Sequence, residues 1–91
     1  MKLQQLRYVV EVFRHDNHLS AAADFLNTSQ SGVSKQIQLL EAELGFSVFQ
    51  RKRNRILGLT EPGRRIIEIA QRVIGDIDSL KAVRDDFATQ D

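Results

Sequence analysis

The chain reads as a mainly α protein: a winged helix-turn-helix with a small β-hairpin wing and a long C-terminal linker helix suited to dimerisation. Three adjoining features predict it. Residues 20–44 place two short amphipathic helices around a tight turn, the arrangement by which a protein presents a helix to the major groove of DNA. An arginine-rich hairpin candidate, Phe49 to Leu59, follows at once. From Pro62 an apolar stripe then runs at helical period nearly to the end of the chain.

A first helix over Leu3 to Arg14 puts Leu3, Leu6, Val10 and Phe13 on an inner face. The polar link His15-Asp16-Asn17-His18 follows. Its two histidines have no third ligand beside them, so no metal and no cofactor is expected. Ser20 is placed to cap the second helix through its hydroxyl, and Ala22 and Ala23 are small enough to let another helix cross closely. Phe25 and Leu26 close that short element. Asn27 stands where the turn needs a positive φ, which Asn tolerates better than most residues with a side chain. Ser29 is a good cap for the third helix, in which Val33, Ile37, Leu40 and Leu44 repeat at intervals of four and three. Gly45 ends it at the position that favours glycine.

The opposite face of that third helix carries Ser31, Ser34, Lys35 and Gln38, with Gln30 at the leading edge. Groove reading needs short side chains that donate or accept: Gln pairs with adenine, Lys with guanine, Ser with either. A single polar helix face is more often just solvated. Here the turn before it and the basic segment after it make it a candidate DNA-reading surface.

Two short apolar runs around Lys52-Arg53-Asn54-Arg55 predict the wing hairpin. Arg53, with Arg51 or Arg55, is expected along the phosphates and in or beside the minor groove, whose narrow form concentrates negative potential. Thr60 can cap the last helix, with Pro62 in the first turn, where a missing N–H costs nothing. From there Ile66, Ala70, Val73, Ile77, Leu80, Arg84 and Phe87 step by four and three. Run to Ala88, such a helix is roughly 40 Å long, too long for the rest of the domain to cover. Ile67, Ile69, Ile74 and Val83 widen its apolar surface. It therefore needs a partner helix, with Ile66, Val73, Ile77 and Leu80 as the dimerisation centre. In an antiparallel pair the acidic Asp85, Asp86 and Asp91 would approach Arg64 and Arg65 of a second copy.

Charge has the same layout. Residues 1–50 sum to −1, residues 51–65 to +5 and residues 66–91 to −3. One compact basic segment on a near-neutral chain points to a local polyanion contact. A 91-residue chain buries only about 60–65% of its unfolded surface, so association would help its stability. There is no cysteine, hence no thiol chemistry. No apolar run approaches about 18 residues and no signal peptide opens the chain, so the expectation is a cytoplasmic protein with no membrane partner. Nothing fixes a nucleophile beside a base, so an enzyme is not expected. The competing readings are an architectural protein binding DNA without sequence preference and a winged-helix module for protein contacts.

The opening LQQLRYVVEV, the central AAADFLNTSQSGVSKQIQLLEAELG, the wing VFQRKRNR and the segment LTEPGRRII resemble the N-terminal DNA-binding domain of LysR-type transcriptional regulators across essentially the whole chain. Within that family, MKLQQLRY, TSQSGVSKQ and the isoleucine-rich start of the last helix look similar to the CysB-like activators of sulfur assimilation. The resemblance implies residues 1–60 as the DNA-binding head and residues 61–91 as the linker helix. It also implies a homodimer whose two recognition helices meet successive major grooves of a dyad-symmetric promoter site. Two dimers would combine into a tetramer in the full-length protein. Family members normally continue into an effector domain that senses an inducer; none of it is expected in this chain. There are departures: the family usually has Pro where Ser31 stands and Arg where Lys35 stands, and the wing here is more basic than most.

Overall fold

A computed structural model describes residues 1–53 and 55–88. Asn54 of the predicted turn and Asp91 of the predicted acidic tail lie outside the described residues. The elements are α1 (Leu3–Arg14), α2 (Leu19–Phe25), α3 (Gln30–Leu44), β1 (Phe49–Lys52), β2 (Arg55–Leu59) and α4 (Glu61–Ala88). This is the expected winged helix-turn-helix with a long final helix.

Local chemistry sets the boundaries of α3. Ser29 Oγ accepts the Gly32 N–H at 3.0 Å, and Asn27 turns the chain with φ 58°. Gly45 leaves the helix in the left-handed region, φ 82°, its N–H donating to the Glu41 carbonyl oxygen. The start of α2 differs from expectation. His18 occupies the cap position with extended backbone and no side-chain bond, and Ser20 lies inside the helix. The helix begins two residues earlier than a Ser20 cap would set it, with Leu19 packed against the core.

Val33, Ile37 and Leu40 of α3 are fully buried, with Ala22 and Ala23 of α2 and Val9, Val10 and Val12 of α1. The predicted stripe of α1 needs correction. Leu3 and Phe13 are more than a third exposed, while Val9 and Val12 are buried. Helices α2, α3 and α4 all touch α1, so its middle is covered over a wide arc and its ends overhang. A polar link also joins α1 to α3: Gln5 accepts the Lys2 N–H and donates through Nε2 to Gln36 Oε1 at 3.2 Å.

The hairpin is antiparallel, pairing Phe49 with Leu59 and Lys52 with Arg55, with an irregularity after Gln50 that leaves Leu57 as the extra residue. Its base is fastened on two sides. Glu41 Oε2 accepts the Val48 N–H at 2.6 Å and the Phe49 N–H at 3.3 Å. The Val48 carbonyl oxygen accepts from the Thr60 N–H at 3.0 Å. Thr60 also caps α4 as expected, its Oγ1 accepting the Gly63 N–H at 2.9 Å.

Helix α4 divides its apolar residues between two faces. Ile67, Ala70 and Ile74 are buried against the domain, so Ala70, expected on the outer stripe, belongs to the core. Ile66, Val73 and Ile77 are half-buried, and Leu80 is 65% exposed. Among the described residues no helix is long and apolar enough to cross a membrane.

Gly63 sits where a Cβ would overlap the Val48 carbonyl oxygen, which is backbone and cannot swing aside. Gly63→Ala should therefore destabilise the fold by about 1–3 kcal/mol in urea unfolding. Gly75, in the same helix, has nothing within 4 Å of an added Cβ. Gly75→Ala should raise stability by up to about 1 kcal/mol in the same measurement. Equal effects at the two positions would contradict the close approach at Gly63.

Candidate nucleic-acid interface

The helix α3 and the wing enclose an open groove. Gln30, Ser31, Ser34 and Gln38 line it from α3, and Arg51 and Arg53 line it from the wing. Leu19, Ile37 and Ile56 supply the apolar lining. Six of the eight residues expected to contact DNA thus share one concave surface. Arg55 faces a neighbouring depression with Gln30, His18, Asn17 and Ser20. Lys35 is exposed, one residue beyond Ser34 and outside the groove lining.

The polar face is presented because its opposite side is the core stripe: Val33 and Ile37 are buried, and Gln30, Ser31, Lys35 and Gln38 are exposed. At the leading edge the Ser29 and Ser31 hydroxyls lie 3.4 Å apart, a hydrogen bond that either can donate. Gly32 leaves room for the Ser29 cap, since a Cβ there would come within 2.9 Å of Ser29 Oγ. The first turn of α3 is therefore built by small, hydrogen-bonding residues.

Arg53 takes φ 58°, in the left-handed region that favours glycine. The hairpin turn requires that backbone, and an arginine there costs about 1–2 kcal/mol relative to glycine. Arg51 sits differently from its neighbours. Its Nη1 donates to Glu41 Oε1 at 3.0 Å, and its side chain is 28% exposed. Glu41 itself is buried, with Val48 N–H and Phe49 N–H on its other oxygen.

Sequence reasoning did not find Glu41, which reads as an ordinary acidic residue in LEAEL. It also assigned Ser20 to a cap and so missed its place beside Gln30 and Arg55. Of the two histidines, His15 has a plain structural use: its Nδ1 lies 2.7 Å from the Glu11 carbonyl oxygen, and its ring packs on Phe25 at 5.2 Å.

A family model described as bacterial regulatory helix-turn-helix protein, lysR family, matches residues 3–64. The chain belongs to the LysR family. It is the helix-turn-helix DNA-binding domain of a LysR-type transcriptional regulator and not an enzyme. It is 47% identical over 91 residues to the HTH-type transcriptional regulator SsuR of Burkholderia cenocepacia, covering 100% of this chain and 30% of that protein. It is likewise 47% identical to CysB of the same organism, covering 100% of this chain and 29% of that one. The chain thus spans under a third of the length of these relatives, which are close to the CysB-like group that the sequence resembles. Among solved structures, the BenM DBD in its complex with catB site 1 DNA superposes with TM-score 0.87 at 30% identity, covering 100% of both chains.

A substitution at Arg53 can test a role in binding separately from one in folding. Arg53→Gly relieves the left-handed backbone and removes one exposed cation. It should leave thermal stability equal to or above that of the parent, while lowering the salt slope of duplex binding by about one. A slope unchanged from the parent's would remove Arg53 from the interface.

Proposed function

We propose that this chain is a sequence-specific DNA-binding domain acting as a homodimer on dyad-symmetric promoter sites. The observation that carries the reading is the groove in which Gln30, Ser34 and Gln38 of α3 face Arg53 of the wing. The first part of α3 enters the major groove, where Gln30, Ser31, Ser34 and Lys35 contact base edges and nearby phosphates, with Gln38 further along. The helix N-terminus adds a dipole that favours phosphate. Arg53 and Arg55 follow the backbone at or in the minor groove. Residues 1–60 form the reading head and residues 61–91 the linker through which two heads pair. In the full-length protein two such dimers form a tetramer. The likeness to SsuR and CysB supports genes of sulfur and cysteine metabolism as the targets, in the cytoplasm.

The outer face of α4 supports the dimer. Ile66, Val73, Ile77 and Leu80 stay partly or largely open, and Ile69 and Phe87 are exposed beside them. Burying an isoleucine or leucine side chain contributes about 1.5–3 kcal/mol, and every contact occurs twice in a two-fold pair. Antiparallel pairing also brings the acidic end of α4 toward Arg64 and Arg65 of the second copy.

Promoter and random duplexes, titrated over a range of salt concentrations, test the reading. Strong salt dependence with a preference for dyad-symmetric sites is the expected result, and equal affinity for all sequences would overturn it. Gln30→Ala and Ser34→Ala should each cost about 1–3 kcal/mol on the preferred site and relax preference at one base position. A panel of single-base operator variants measures this, and an unchanged profile for both would exclude them as readers.

Ile77→Asp places a charge in the helix seam. Sedimentation equilibrium should show a dimeric parent and a monomeric variant, with full-site binding weakened far more than half-site binding. A parent that stays monomeric at tens of micromolar would sink the dimer.

A further inference from the structure

On the DNA-binding reading above, we propose that Glu41 is a positioning residue that holds Arg51 away from DNA. The wing's phosphate contacts then come from Arg53 and Arg55. Three residues of the basic segment lie within five positions, and their surroundings differ. Arg51, Arg53 and Arg55 are all exposed as residues, but the Arg51 side chain keeps only 28% of its surface open. Arg51 lines the same groove as the reading helix, but its Nη1 lies 3.0 Å from Glu41 Oε1.

The Glu41 side chain is only 8% exposed. A carboxylate taken out of water needs charge and hydrogen bonds to replace hydration. Here Oε2 takes the Val48 and Phe49 N–H groups, and Oε1 takes the guanidinium. A DNA phosphate competing for Arg51 would have to strip the cation from a desolvated carboxylate. The phosphate is itself well hydrated, so the exchange is unfavourable. Arg51 remains in the protein.

Specificity depends on that arrangement. Glu41 stands one turn before the end of α3, and the N–H groups it holds open β1. One carboxylate thereby fixes the wing relative to the reading helix. It also subtracts a cation from the surface that binds any DNA sequence. Releasing Arg51 would add a phosphate contact, which strengthens binding to all sequences and carries no sequence information.

Salt titrations of the full chain on random and promoter duplexes, for the parent, Arg53→Ala, Arg51→Met and Glu41→Gln, test this directly. Gln keeps a side-chain oxygen for the Val48 N–H and removes the charge that holds Arg51. Arg53→Ala should lower the salt slope by about one, and Arg51→Met should leave it at the parent's value. Glu41→Gln should raise the slope by about one and shrink the ratio of promoter to random affinity several-fold. A merely structural role for Glu41 would weaken both affinities without steepening the slope, and that result overturns the assignment. An Arg51→Met slope as shallow as that of Arg53→Ala overturns it as well. Should Glu41→Gln fail to fold by circular dichroism, the Arg51→Met comparison decides alone. A parent with no salt-dependent duplex binding would overturn the DNA reading itself, and this role for Glu41 with it.

Discussion

The peptide groups of Val48 join the three parts of the molecule on which any DNA contact depends. The Val48 N–H belongs to Glu41 in the last turn of α3, and its carbonyl oxygen belongs to Thr60 at the head of α4. Its side chain is fully buried, and the next residue, Phe49, opens the wing. Buried backbone groups must be satisfied, and here the partners come from outside any regular ladder. The acceptor that satisfies Val48 and Phe49 is a charged side chain, and the donor comes from a helix cap. Gly63 completes the junction by letting α4 approach the same carbonyl oxygen.

That junction explains how a small domain carries a helix of 28 residues. Only the first half of α4 is needed to close the core, through Ile67, Ala70 and Ile74. The remainder extends beyond it, and the molecule is 54 Å along its longest axis. The same helix thus has an inner face that completes a fold and an outer face that is left for association. The groove between α3 and the wing lies on other elements, so DNA contact and self-association do not compete for side chains.

Much of this was legible from the residues because the relevant physics is local. Asn27 at a positive φ, Ser29 and Thr60 as caps and Gly45 as a helix stop are short-range stereochemistry. The Val33, Ile37, Leu40 stripe is a periodicity, and it also orients the polar face that lines the groove. What could not be read was the direction from which neighbours arrive. The apolar positions of α4 form one broad surface in the sequence, and only the placement of α1 assigns Ile67, Ala70 and Ile74 to one side of it. Leu3 and Phe13 fit the period of α1 and still overhang, because helix ends outrun their neighbours. Glu41 was opaque for a related reason. Its partners are two backbone N–H groups and an arginine ten positions away, and no spacing announces them.

Thr60 alone separates the end of β2 from the start of α4, and it is bonded to Ser47 and Val48 as well as to Gly63. These bonds restrain bending between the head and the rod that carries it. In a dimer built on α4, the separation and relative rotation of the two heads become properties of a helix pair, as a ruler's marks are properties of the ruler. A site lengthened by half a helical turn would present its second half on the wrong side of the duplex. On the proposed dimer, distance along DNA would be measured as well as sequence, and adapting it to a different spacing would require reshaping the seam between the rods, leaving the reading surface untouched.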